Sequence, residues 1–178
     1  MNLNYSPIVF VSGCLLCPSL QAGWSEKKSE WAFSFQKILN DEQYQLIQMP
    51  CPESTFKNSK CGLNRKPHGI KFYEELPGFK EHCQLIACSV ARQIVEFKRN
   101  GYVTVAVIGV EHSPTCAVNY MYTHCGMVKR TGIYIGNLQV ELEKLCEKIN
   151  FVGINRCYPN RAIKLIREFK QSKLFLNP

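Results

Sequence analysis

The chain has 178 residues, enough for one domain, expected over 1–178, that buries most of its apolar surface without metal or disulfide support. Its ten cysteines are too few for a disulfide scaffold of this length and more than an ordinary intracellular enzyme needs, and no stretch approaches the ~18 apolar residues of a membrane helix. With 22 Lys and Arg against 14 Asp and Glu the net charge is +8, spread along the chain rather than blocked, which favours anionic partners at long range.

The chain begins with no Lys or Arg before Pro7, and its first apolar run, Ile8 to Val11, is too short for the hydrophobic region of an export signal. The likeness of Val11-Ser12-Gly13-Cys14 to the end of a lipoprotein signal therefore carries little weight. The expectation is a cytoplasmic protein whose cysteines are reduced or metal-bound.

Ile8 to Val11, closed by Ser12-Gly13, reads as a strand buried on both faces. Trp24 to Leu39 carries apolar residues at helical spacing, with Ser25 placed to cap it. Tyr44 to Met49 is a second strand, stopped by Pro50, and Cys51 to Gly69 is a long loop without a period. Pro77 to Asn100 is the longest helix: Phe79, Cys83, Ile86, Ala87, Val90, Ala91, Ile94 and Phe97 share one face, and Asn100-Gly101 stops it. Tyr102 to Val110 is the clearest strand. Gly126 to Ile135 reads as an extended excursion or loop, Leu138 to Ile149 as a helix with Leu142 and Leu145 inward, Phe151 to Asn155 as a strand, and Asn160 to Lys170 as a closing helix. Buried-type strands alternating with helices give an α/β fold: a Rossmann-like three-layer sandwich around a mostly parallel sheet of about four strands.

In such a sheet the ligand crevice lies outside the carboxyl ends of the strands, where strand order switches. Three cysteines occupy that address, Cys14 after the first strand, Cys51 after the second and Cys116 after the third. Three convergent thiolates hold a metal or cluster and leave a position open, the mark of a catalytic rather than a closed structural site. No pair of His lies at zinc-finger spacing beside them, which favours an iron–sulfur cluster over zinc. Cys83, Cys88 and Cys146, on helices, read as small buried hydrophobes.

Val-Ser-Gly-Cys14-Leu-Leu, Met-Pro-Cys51-Pro-Glu53 and His-Ser113-Pro-Thr-Cys116 resemble the three motifs of the thiouracil desulfurase family, in the same order and on the same strand ends. Gly132-Ile-Tyr-Ile-Gly-Asn-Leu resembles a subgroup of small desulfidase-related proteins. The likeness implies a [4Fe-4S] cluster on Cys14, Cys51 and Cys116 with one iron free of protein ligands, and an enzyme that releases sulfide from a small thiolated compound by hydrolytic C–S cleavage. Glu53, two residues after a ligand cysteine, is the first candidate for proton transfer, and Ser113 either hydrogen-bonds substrate or caps its turn. His112 and Glu111 are weaker candidates. The chain departs from the family at Cys17-Pro-Ser-Leu-Gln-Ala-Gly and at Ala117, and Cys17, Cys61, Cys125 and Cys157 are each a possible fourth ligand that would close the site.

Two readings compete. One is a zinc- or cluster-bearing module that holds RNA or a nucleotide phosphate on Lys57 to Lys66 and Lys129-Arg130. The other is a Cys14-x-x-Cys17 thiol oxidoreductase, weakened because Pro18 and its successors do not clearly open the helix that such a pair uses to lower its thiol pKa.

Overall fold

A computed structural model describes residues 6–23, 30–57, 66–123, 126–156 and 159–174. The elements run β1 (Ile8–Ser12), α1 (Gly13–Leu16), a 3-10 turn at Pro18–Leu20, α2 (Glu30–Asp41), β2 (Gln45–Met49), α3 (Pro52–Thr55), α4 (Ile70–Glu75), α5 (Phe79–Arg99), β3 (Thr104–Val110), β4 (Tyr120–Thr123), β5 (Gly126–Lys129), α6 (Ile133–Lys144), β6 (Asn150–Ile154) and α7 (Pro159–Leu174). Four strands form one sheet in the order β2-β1-β3-β6, and every neighbouring pair is parallel. The two central strands are buried at every residue, as strands covered on both faces must be.

The order doubles back after β2, so the switch point falls between β1 and β3. Right-handed crossovers put α2 on one face of the sheet and α5 and α6 on the other. On α5 the expected face is buried at Phe79, Cys83, Ala87, Val90, Ala91 and Ile94, with Ile86 and Phe97 partly buried against the same core. The last helix is tied to the end of α2 by Tyr44 Oη, which donates to the Ile166 carbonyl at 2.9 Å, and by an ion pair of Arg167 with Glu42 at 2.7 Å.

The fold departs from the sequence reading in the third quarter of the chain. Tyr120–Thr123 and Gly126–Lys129 form an antiparallel hairpin, and the reading of Gly126 to Ile135 as an extended excursion or loop holds as far as Gly132. The next helix starts at Ile133, five residues before the expected Leu138, and ends at Lys144. Leu142 faces inward as expected, but Leu145 is the C-cap and is 42% exposed. The early start has a tertiary cause. The first N–H groups of a helix lack partners within it, and here Ile133 donates to the Pro114 carbonyl at 3.1 Å while Tyr134 and Ile135 donate to that of Thr115 at 3.0 and 3.2 Å. Those acceptors lie in the loop after β3 and override the β-branched, glycine-containing local sequence. In the long loop from Cys51 to Gly69, Pro52–Thr55 forms one helical turn, and directly after it Ile70–Glu75 forms a short helix; neither has a sequence period long enough to read. The start of the expected Trp24 helix, with Ser25, lies outside the described residues.

Two expectations follow. At Gly132, which precedes α6, an added Cβ would overlap the Thr115 carbonyl and come within 2.7 Å of the Cys116 nitrogen, whereas Gly69 has nothing within 4 Å. Gly132→Ala should therefore lower the unfolding free energy by about 2 kcal/mol through overpacking, with Gly69→Ala near neutral, as read from urea unfolding midpoints. Separately, burial, with Glu42 adding and Arg167 opposing, pushes the Tyr44 phenol up to about 12. The folded chain keeps a proton that the unfolded chain releases near pH 10, so this contribution is complete below pH 10 and is lost as pH rises to 12. Tyr44→Phe should flatten part of the fall in stability across that window.

Candidate active site

The carboxyl ends of β2, β1 and β3 deliver Cys51, Cys14 and Cys116, and all three line one cavity of about 380 Å³. Cys14 sits in the single helical turn that follows β1. This turn packs closely on the next, because a Cβ at Gly13 would lie 3.0 Å from the Met49 carbonyl oxygen and 3.5 Å from Cys51 Cβ. Glycine lets the first motif approach the second. Cys51 and Cys116 are 8% and 6% exposed, and Cys14 is half-buried. Burial pushes the Cys116 thiol well up, the nearby Cys51 and Cys14 push it further, and the Thr115 hydroxyl pulls the other way.

The turn carrying Cys116 is fastened from several directions. Val110 N–H donates to the Cys116 carbonyl at 2.9 Å, folding the loop back over Gly109, where any Cβ would overlap that carbonyl. Ser113 Oγ accepts from the backbone N–H groups of Thr115 and Cys116 at 3.3 and 3.1 Å. Of the two roles open to Ser113 from sequence, this geometry displays the turn cap. From the other side the N-terminus of α6 grips the Pro114 and Thr115 carbonyls.

Glu53 is 7% exposed, lines the cavity, and accepts from two hydroxyls: Tyr73 Oη at 2.9 Å and Thr115 Oγ1 at 2.8 Å. Ser113 Oγ lies 3.2 Å from Thr115 Oγ1. Because Ser113 accepts from two amides and Thr115 donates to Glu53, the Ser113 hydroxyl proton is the one directed to Thr115. The result is a chain of hydroxyls, Ser113 to Thr115 to Glu53, between the cavity and a buried carboxylate. Sequence reasoning missed Thr115 and Tyr73. The Thr inside the third motif was a usable signal, whereas Tyr73 lies on the unread short helix α4.

The two weaker candidates separate. Glu111 accepts from Asn119 N–H at 3.1 Å, Asn119 Nδ2 at 2.8 Å and Tyr120 N–H at 2.9 Å, and it lies so close over Gly153 that any side chain there would overlap it. It ties the hairpin to the sheet. His112 has φ +69°, donates its N–H to the Tyr120 carbonyl at 2.8 Å and stacks on the Tyr122 ring at 4.5 Å. Its Nε2 lies 3.5 Å from Asn155 Nδ2 at the end of β6. His112 and Asn155 line both the thiol cavity and an adjoining one of about 770 Å³ that also takes in Tyr120, Tyr122, Lys129 and Arg161. Of the expected basic loops, 58–65 lies outside the described residues, and Arg130 is ion-paired to Glu74.

The family model described as "Putative 2-thiouracil desulfurase" matches residues 6–131, well over half of the chain, and spans all three cysteine motifs. The chain belongs to the 2-thiouracil desulfurase family. It is also similar to an uncharacterised protein of Methanocaldococcus jannaschii, 28% identical over 121 residues that make up 67% of each chain. Among solved structures it is similar to the [4Fe-4S]-dependent thiouracil desulfidase TudS, at 15% identity and a TM-score of 0.46 over 83% of this chain and 90% of that one.

The donor set suits the cluster that this desulfurase family resemblance implied. Three cysteine thiols converge on the cavity, and thiolate is the ligand that iron–sulfur clusters take; among the described residues no three His, Cys, Asp or Glu side chains are grouped to hold a single metal ion. Among the described residues two buried hydroxyls, Ser12 Oγ and Tyr134 Oη, have no hydrogen-bond partner, and neither lines the cavity. Cys17 does not line the cavity; its Sγ lies 3.2 Å from Ser19 Oγ, and the helical turn before it spans only four residues, too short for a thiol-activating helix end. Cys83 is fully buried as expected, Cys88 is half-buried, and Cys146 is exposed instead of packed inside. Cys61, Cys125 and Cys157 lie outside the described residues.

The Glu53 network can be tested apart from catalysis. Tyr73→Phe removes a buried hydrogen bond to a carboxylate and should cost about 2 kcal/mol in urea unfolding. Thr115→Val should cost a similar amount.

Proposed function

We propose that the protein is a desulfidase that releases sulfide from a small thiolated compound, a thiolated nucleobase being the fitting class, by hydrolytic C–S cleavage at a [4Fe-4S] cluster held by Cys14, Cys51 and Cys116. The observation that carries this reading is the arrival of three thiols from three adjacent strand ends in one cavity beside a buried carboxylate. Family membership supports the desulfidase role independently. When bound, the cluster would supply a soft Lewis acid that prefers sulfur to oxygen and polarises the C–S bond.

The remaining chemistry belongs to the chain. Replacing sulfur by oxygen at carbon requires a water to lose protons as its oxygen attacks, and those protons need an acceptor. Glu53 is the acceptor: its two carboxylate oxygens are oriented by Tyr73 and Thr115, and a positioned carboxylate is an effective general base. Thr115 holds that carboxylate in place by donating to it, and Ser113 Oγ, 3.2 Å from Thr115 Oγ1, holds Thr115 in turn. Ser113 thus acts through its turn and through Thr115. His112 and Asn155 form the wall at the fourth strand end, where a flat heterocycle meets polar edges. Among the described residues no helix is long and apolar enough to cross a membrane.

The test is anaerobic reconstitution followed by assay of sulfide from 2-thiouracil. The wild-type protein should take up about four irons per chain and release sulfide. Cys51→Ala and Cys116→Ala should lose both iron and activity. Glu53→Gln should keep its iron but lose turnover by about 100-fold or more. Iron uptake without sulfide release from any thiolated pyrimidine would refute the desulfidase reading, and full activity in Glu53→Gln would remove Glu53 from its role.

A further inference from the structure

Among the described residues that line the thiol cavity, Arg156 is the one Lys or Arg. It stands two residues beyond β6, at the fourth strand end on the edge that carries the three cysteines. Apart from His68 and His112, every other ionisable group in the lining becomes negative when it ionises: Glu53, Glu111 and the three thiols. A guanidinium stays charged throughout the working pH range, so Arg156 is a fixed positive charge at the wall of an otherwise anionic cavity.

Its place is set by packing. Arg156 is half-buried, and its Cζ lies 5.9 Å from the centroid of the Trp31 ring on α2. At that distance a guanidinium is attracted to the face of an indole, and its weak hydration makes the contact less costly than it would be for an ammonium group. α2 follows the Cys14 turn and the segment holding Gln21 and Ala22, which lines the same cavity. The side chain therefore crosses from the β6 end to the β1 side of the opening. Both carboxylates of the cavity are engaged by other donors, Glu111 by Asn119 and Tyr120, and Glu53 by Tyr73 and Thr115.

The chemistry of the site calls for such a cation. In a thiolated heterocycle the ring N–H beside the C=S group is acidic, because the anion spreads its charge onto a large, polarisable sulfur. The thiolate form is also the better ligand for a soft metal. Like charge opposes the approach of that anion to a centre already held by three thiolates. A fixed cation in the cavity wall offsets the repulsion and steers the anion inward.

We infer that Arg156 is a substrate-binding residue that recognises the ring-deprotonated, anionic form of the thiolated heterocycle and draws it into the thiol cavity. This deepens the desulfidase reading above and rests on it.

The test compares wild type, Arg156→Gln and Arg156→Lys after anaerobic reconstitution. It measures iron content, the quenching of tryptophan emission on mixing with 2-thiouracil before turnover, and kcat and KM for sulfide release. Arg156→Gln should keep its iron and its kcat while both KM and the dissociation constant rise about tenfold or more. Arg156→Lys, which keeps the charge, should recover most of that loss. The N,N′-dimethyl derivative of 2-thiouracil has no ring proton to lose. Scored by its inhibition constant, it should bind wild type more weakly than 2-thiouracil does and bind Arg156→Gln no worse than wild type. Equal losses in the Gln and Lys variants, loss of iron in Arg156→Gln, or a dimethyl derivative that binds wild type as tightly as 2-thiouracil or is weakened alongside it overturns the inference. If loaded wild type releases no sulfide, the desulfidase reading fails and this inference fails with it; active wild type beside an unaltered Arg156→Gln sinks this inference alone.

Discussion

Everything at the site depends on the way the turn from Ser113 to Cys116 is held. It leaves the end of the most buried strand, folds back so that Val110 donates to the Cys116 carbonyl, and is capped from within by Ser113. The N-terminus of α6 then closes on it, its unpaired amides satisfied by the carbonyls of Pro114 and Thr115. Two glycines make this possible, Gly109 beneath the turn and Gly132 above it, each at a point where any side chain would overlap the turn's own backbone. A loop bound in this way presents Cys116 at a fixed place relative to the sheet, and the same turn places Thr115 against Glu53.

The parallel sheet does the rest. Adjacent parallel strands end on one edge about 5 Å apart, so residues just beyond them are gathered without any contact in sequence. Cys14 and Cys51 belong to neighbouring strands whose turns touch through Gly13, and Cys116 belongs to the next strand across the switch point. The buried carboxylate enters from the second motif and is received by hydroxyls from the third motif and from α4. The proposed chemistry needs these elements together: thiols to hold a soft metal centre and a positioned base beside them.

Much of this could be read from the sequence because it follows from periodicity and punctuation. The central strands announce themselves by continuous Val and Ile, the long helix α5 by one apolar face, and the cysteines by their place after strands. The convergence of Cys14, Cys51 and Cys116, and the place of Glu53 beside them, follow from the sheet rule and the motif order. What the sequence did not reveal depends on contacts distant in the chain. The start of α6 is set by carbonyls some twenty residues earlier, so local propensity placed it five residues late. Tyr73 reaches Glu53 from a six-residue helix with no period to detect. Glu111, with its carboxylate given over to hairpin amides, and Ser113, with its oxygen given over to its own turn, resemble catalytic residues in a motif and reveal a structural task only through their hydrogen bonds.

The decisive fact about this protein is where it binds iron. A crystal grown without oxygen from the reconstituted protein, measured above and below the iron absorption edge, would give the anomalous peaks directly. The account predicts a four-iron cluster between the β1, β2 and β3 strand ends, with Cys14, Cys51 and Cys116 each bonded to one iron and the fourth iron bonded to no protein side chain. Iron bonded to Cys17 in place of any of the three, a fourth cysteine closing the cluster, or no anomalous density in that cavity would contradict it.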